Sequence, residues 1–229
     1  MKKFLIAWIP LLLILSACTV VTAPGSDPAD MDGMTSATQA RFKEMEIREY
    51  KGARLDPAVG PRDNSINGIQ SVDISGYTLT VDGLVDDPVS LTYDEVLAME
   101  SAEKLITLHC VEGWDATILW KGVLLMDSID LANDQAAADT VIFHCVDGYT
   151  TSMPLKIIQD RKMILAYSSN GLPLPPSMGF PFIVVAEDKL GYKWARWVDR
   201  IELSGDSAYE GFWERNGYEN DAEVPVSRK

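Results

Sequence analysis

Apolar and polar positions alternate along residues 77–82, with Tyr77, Leu79 and Val81 on one parity and Thr78, Thr80 and Asp82 on the other. Successive side chains of a strand point to opposite faces, so this stretch predicts a half-buried strand. Gly83 and the run Asp86-Asp87-Pro88 close it in turns. A helix start follows. Thr92 as N-cap and Glu95 three residues on form a capping box, with Leu91 and Val96 placed as a hydrophobic staple, and the helix should run to about Ser101. Strand-like runs at 105–111 and 140–146 each lead into a tight turn containing glycine. Between them 124–133 predicts one short helix, and 154–159 predicts another. Further strands are expected at 163–167, 181–186, 194–198 and 199–203, where Pro173, Pro175, Pro176 and Pro181 exclude a long helix. Many short strands with a few short helices predict a β-rich α+β domain.

The first residues are patterned differently. Lys2 and Lys3 precede an almost wholly apolar run at 4–15, shorter than the roughly 20 residues that span a bilayer. Residues 1–17 are therefore expected to be a signal peptide. In Leu15-Ser16-Ala17-Cys18, small residues stand directly before a cysteine, as in the bacterial-type lipobox, so Cys18 is the expected lipidation site. Residues 18–41 are polar, carry no sustained apolar period and read as a flexible tether. Residues 42–229 are enough for one domain with a sizeable core. The expected location is the cell envelope, lipid-anchored on the outer face of the cytoplasmic membrane or in the periplasm. Charge narrows the partners: 34 Asp and Glu against 20 Lys and Arg leave a net −14, which argues against nucleic acid.

The candidate chemistry lies in an internal echo. His109-Cys110-Val111-Glu112-Gly113-Trp114 returns as His144-Cys145-Val146-Asp147-Gly148-Tyr149, and the two copies hold both histidines and both cysteines beyond Cys18. Three readings are open. A zinc site of two Cys and two His is hampered because neighbouring strand residues point to opposite faces. A Cys110–Cys145 disulfide is the default for two cysteines in an exported protein, if the two strands are neighbours. A single thiolate at a strand end, followed by a glycine turn, can hold a soft metal whose other positions stay open. Independently, Lys189, Lys193, Arg196 and Arg200 form the densest positive cluster of this acidic chain, and together could neutralise a buried phosphate.

Cys110-Val111-Glu112-Gly113-Trp114 followed by Trp120-Lys121-Gly122-Val123-Leu124-Leu125 resembles the metal-cysteine segment of the oxidoreductase molybdopterin-binding family, which includes sulfite oxidase and the periplasmic methionine-sulfoxide reductase catalytic subunit. The resemblance continues through Asp147-Gly148-Tyr149, Asn170-Gly171-Leu172-Pro173, Gly179-Phe180-Pro181, Gly191-Tyr192-Lys193-Trp194 and Arg196-Trp197-Val198-Asp199-Arg200 to Gly211-Phe212-Trp213-Glu214. It covers about residues 60–220 in order. It implies a sulfite oxidase-like fold and a molybdenum–molybdopterin cofactor, with Cys110 as the protein's molybdenum ligand. It further implies that Glu112 sits near the metal and shuttles protons; in the mechanism expected here Asp147 or Tyr149 would assist it. Asn64, Asn67 and Gly68 match a loop that cups the pterin, and Cys145 stands where a threonine contacts it. Arg196, with Trp194 and Ala195, matches the segment that binds the terminal phosphate. Two positions depart from the family: Met178 replaces a polar residue and Ile183 an arginine, and neither can hydrogen-bond a cofactor. The leader also has Lys2-Lys3 in place of twin arginines.

The expected activity is an extracytoplasmic oxidoreductase that transfers an oxygen atom on a small substrate. It would exchange electrons with a membrane or soluble redox partner and work as a monomer. The alternative is a cofactor-free lipoprotein of the same fold, binding a small molecule or partner and stapled by a Cys110–Cys145 disulfide.

Overall fold

The computed structural model describes residues 34–58 and 64–228. The expected signal segment and Cys18 lie outside the described residues. Helix α1 (Ser36–Met45) precedes a hairpin of β1 (Glu49–Tyr50) and β2 (Ala53–Arg54). Strands β3 (Thr78–Gly83) and β4 (Val89–Thr92) pair antiparallel and lead into α2 (Tyr93–Ala98). The longest hairpin joins β5 (Ser101–His109) to β6 (Asp115–Leu124), in register from Ser101↔Val123 to His109↔Asp115. Then come α3 (Leu125–Asp130), β7 (Thr140–Cys145), β8 (Thr150–Pro154) and α4 (Leu155–Arg161). Strands β9 (Ile164–Ser169), β10 (Leu172–Pro173), β11 (Ile183–Val185) and β12 (Val198–Ser204) complete the fold.

Beyond the two-stranded β1–β2 hairpin, the described strands assemble into two five-stranded sheets. One has the order β10-β9-β6-β5, with β11 also paired to β9; the other has the order β4-β3-β12-β7-β8. All pairings are antiparallel except β12 with β3, which joins the late strand to the early one in parallel. A single apolar cluster draws Ile118, Trp120 and Val123 from the first sheet, and Leu79, Phe143 and Ile201 from the second. Each such side chain taken fully out of water contributes roughly 1.5–3 kcal/mol. The alternation at 77–82 has this cause: Leu79 and Val81 enter the core while Thr78 lies exposed. No helix among the described residues is long and apolar enough to cross a membrane.

Strands β1, β2, β4, β6, β8 and β10 are not among the expected elements, and three further differences have a local cause. Helix α2 ends at Ala98 and β5 begins at Ser101, because the alternation from Ser101 onward pairs with β6. Of the run 194–198 only Val198 is in a strand, as the first residue of β12, paired with Cys145. A 3-10 turn at Gly191–Lys193 precedes the rest, Trp197 takes φ +55°, and the ladder contact of 194–197 is the bridge Ile183↔Arg196. Helix α1 occupies part of the stretch read as a tether. Thr35 caps it by accepting from the Thr38 amide, but it has no buried residue, so no apolar stripe marks it in the sequence.

Candidate active site

The two echoed hexapeptides fold alike. In the first, the Cys110 amide donates to the Trp114 carbonyl at 2.9 Å and the Gly113 amide to the Cys110 carbonyl at 3.1 Å. In the second, Cys145 donates to Tyr149 at 3.0 Å and Gly148 to Cys145 at 2.8 Å. Gly113 (φ +90°) and Gly148 (φ +86°) close these turns in a left-handed conformation that a side chain would strain. Val111 and Val146 protrude equally, each 42% exposed. The first turn follows β5 and the second follows β7, so each sheet supplies one.

Both turns contribute to the wall of one cavity of about 520 Å³. Cys110, Glu112 and Trp114 come from the first turn, and Asp147 and Tyr149 from the second. The parallel bridge His109↔Leu190 places the Gly191–Lys193 turn beside them, and Trp194 and Arg196 follow it onto the wall. Asn64 reaches in from the early loop, its Nδ2 3.7 Å from Cys110 Sγ. Burial pushes the Cys110 thiol above its ordinary pKa, opposed by the Glu112 backbone amide and by the Arg196 and Arg228 charges. The Glu112 carboxylate accepts from Trp114 Nε1 at 3.1 Å, which fixes it over its own turn.

The remaining expected residues divide. Asn67 lies outside the cavity wall but donates to the Asp147 carbonyl at 2.6 Å, tying the early loop to the second turn. Gly68, at φ +74° with open space around it, is also outside the wall. Cys145 is buried behind the wall, and burial holds its thiol well above the ordinary value. Ala195 is fully buried and serves β11 by accepting from the Val184 amide. Arg196 donates to the Ser177 carbonyl at 2.7 Å from its place on the wall.

Several expectations are corrected here. The Cys110–Cys145 disulfide is not formed: both thiols are free, Cys110 directly after β5 and Cys145 at the end of β7 in the other sheet. The alternative of a disulfide-stapled binding protein loses its staple. The basic cluster does not converge. Lys189 pairs with Glu223, Lys193 with Glu214, and Arg200 with Asp82 and Glu202, so Arg196 is the one member on the cavity wall. Met178 and Ile183 are wholly buried core residues, where a polar side chain would need a partner of its own.

Of the other wall residues, Tyr192 and Trp213 stand in the resembling segments with no site role expected of them, and Tyr218 lies outside every motif. Tyr192, Trp213 and Tyr218 form an edge-to-face stack, with Tyr218 5.2 Å from each of the other two. Aromatic residues scattered over 27 positions give no local period; packing alone gathers them.

The donor set discriminates between groups that could occupy the cavity. Among the described residues no cluster of three or more His, Cys, Asp or Glu side chains gathers as a metal site, so a protein-caged zinc has no ligand set here. A metal that brings its own dithiolene needs one protein thiolate, a cation for its phosphate and neutral hydrogen-bond donors. Cys110, Arg196 and Asn64 fit that requirement. The fold and this donor set define an oxidoreductase of the molybdenum–molybdopterin type. The chain belongs to the oxidoreductase molybdopterin binding domain family, whose model matches residues 66–213.

Among its relatives, the uncharacterized oxidoreductase YuiH of Bacillus subtilis is 37% identical over 147 residues, covering 64% of this chain and 74% of that protein. YedZ1 of Azospira oryzae, whose name assigns it as a protein-methionine-sulfoxide reductase subunit, is 33% identical over 150 residues, 66% of this chain and 57% of its own. The sulfane dehydrogenase SoxCD of Paracoccus pantotrophus superposes with a TM-score of 0.60 at 16% identity, over 89% of this chain and 61% of its own. At that identity the likeness speaks for the fold. The chain thus spans about three quarters of the first relative and little more than half of the second.

Proposed function

We propose that this protein transfers an oxygen atom between a small substrate and its molybdenum–molybdopterin cofactor, on the outer side of the cytoplasmic membrane. The observation that carries the reading is the placement of Cys110 in the cavity wall, with the Asn64 amide against its sulfur. When bound, the cofactor supplies a two-electron redox centre that takes up or gives up an oxygen atom. Every other task falls to the chain. Cys110 holds the metal as its thiolate, and the Asn64 amide donates to that sulfur and restrains it. Arg196, beside Trp194 and the buried Ala195, would hold the terminal phosphate of the pterin. Asn67 holds the early loop against the second turn, Gly68 gives that loop its left-handed bend, and Cys145 backs the turn. Glu112 holds the proton that accompanies oxygen transfer, within reach of the same cavity as Asp147 and Tyr149. Electrons pass to a separate membrane or soluble redox partner. The location rests on the leader and Cys18, which would attach the protein to lipid.

Elemental analysis of the purified protein, produced in a host that makes the pterin cofactor, tests this. The expected result is about one molybdenum per chain. Cys110→Ala should lose the metal and keep the far-ultraviolet spectrum of the fold. Molybdenum retained by Cys110→Ala would sink the assignment.

A further inference from the structure

Arg228 lies outside the stretch matched by the family and outside every motif of the sequence reading. It nevertheless reaches the cavity-forming turn of Cys110. Its Nη1 donates to the Cys110 carbonyl at 2.9 Å, and its Nη2 donates to the Trp114 carbonyl at 3.3 Å and to the Asp115 carboxylate. The two carbonyls are the same ones that accept the Gly113 and Cys110 amides. One planar guanidinium therefore ties together both closing hydrogen bonds of the turn, and the Asp115 carboxylate anchors it. Asp115 in turn binds His109 Nδ1 at 2.7 Å, directly across the β5–β6 pair.

The second hexapeptide provides an internal comparison. His144 is likewise bonded to a carboxylate, Glu202, at 2.8 Å, and Arg200 lies against both, 3.2 Å from His144 Nε2 and 3.0 Å from Glu202. Arg200, however, spends its Nε on Asp82, 2.9 Å from each carboxylate oxygen. The histidine–carboxylate–arginine arrangement thus occurs twice, and in the copy whose cysteine lines the cavity the arginine is extended onto the turn carbonyls.

We infer that Arg228 is a positioning residue for Cys110: it locks the turn that presents the sulfur to the cavity and places a fixed positive charge beside it. The inference rests on the molybdenum reading for its redox consequence, but the locking itself can be measured without metal. A held turn limits the directions in which the sulfur can point, and a neighbouring cation favours the more electron-rich state of whatever that sulfur ligates.

The test uses the full chain with Arg228→Gln and Arg228→Lys. In the metal-free protein, hydrogen exchange of the peptide spanning 109–115 should rise about tenfold or more in Arg228→Gln, the effect of losing bonds to a charged donor. The peptide spanning 144–149 should be unchanged. In the loaded protein, the molybdenum midpoint potential of Arg228→Gln should move to more negative values. Arg228→Lys should restore the potential while leaving exchange raised, since one ammonium cannot span two carbonyls and a carboxylate. Unchanged exchange at 109–115, or an equal rise in both peptides, would overturn the inference. So would raised exchange with an unmoved potential, which reduces Arg228 to a structural pin. A wild-type protein lacking molybdenum would instead refute the proposed function and leave the exchange result to decide the clamp.

Discussion

Glu112 is tied by the Trp114 indole to its own turn, and Cys110 lines the same cavity two residues before it. A Glu112→Gln side chain keeps an oxygen for that indole but has no proton to exchange in this pH range. The expected result is a fall in kcat of about 10²-fold or more with molybdenum content unchanged. Steady-state kinetics beside metal analysis checks it, and wild-type kcat in Glu112→Gln would remove Glu112 from the proton path. At this scale the sequence displayed the residues that sit in short motifs. Cys110, Glu112, Asp147 and Tyr149 stood out because the hexapeptide repeats, and the structure brings all four to one cavity. Arg228 and Tyr218 were not legible, since nothing local distinguishes an arginine that binds carbonyls 114–118 positions away. Conversely Lys189, Lys193 and Arg200 looked like partners of Arg196 through sequence proximity, and each was claimed by a carboxylate from another element.

Helix α2 shows how a local signal becomes an element. The Thr92 hydroxyl accepts from the Glu95 amide at 3.3 Å while Glu95 accepts from the Thr92 amide at 2.8 Å, so both halves of the capping box are formed. Thr92→Ala should cost about 1 kcal/mol in a urea melt. The bond from the Thr92 amide, followed by that from its hydroxyl, holds the Glu95 carboxyl below the usual carboxylate range. A group whose folded pKa is depressed contributes stability above its unfolded pKa and loses it as pH falls through the folded value. Protection of the α2 amides, taken against the intrinsic exchange rate at each pH, should therefore fall on acidification below the ordinary glutamate range, and Glu95→Gln should flatten that dependence. An identical acid profile in Glu95→Gln would refute the coupling. Elements defined by such caps or by strict alternation were readable in advance. Strand β6 was not, because most of it is buried on both faces and its pattern has no period of two to detect. The irregular path through 194–198 was equally hidden, since its course depends on the bridge to β11 and on β12 starting at Val198.

Across the whole molecule, the aromatic side of the cavity depends on one buried ion pair. Lys193 and Glu214 are both fully buried; Lys193 Nζ bonds the Glu214 carboxylate, and also the Ser152 carbonyl and Asn220 Oδ1, each at 2.9 Å. Glu214 also accepts from the Thr151 hydroxyl at 2.6 Å, so the pair joins β8, the 3-10 turn at Gly191–Lys193 and the segment that carries Phe212, Trp213 and Tyr218. Burial pulls the Lys193 pKa down, and the hydrogen bond and charge of Glu214 resist that fall. Removing one partner leaves the other charge in the core without compensation, so Lys193→Met should destabilise the fold by about 3–5 kcal/mol. The segment it holds should loosen with it, and tryptophan fluorescence should report the change at lower urea than far-ultraviolet dichroism does. Lys193→Met combined with Glu214→Leu removes both charges and should recover much of the loss, because an apolar pair of similar volume carries no desolvation penalty. A double variant no more stable than Lys193→Met would show that the pair matters for its bonds to Ser152, Thr151 and Asn220 rather than for mutual neutralisation. Neither residue's sequence neighbourhood announces this role: Lys193 sits in a basic cluster expected to neutralise a phosphate, and its charge is instead paired with Glu214, holding the cavity wall in place.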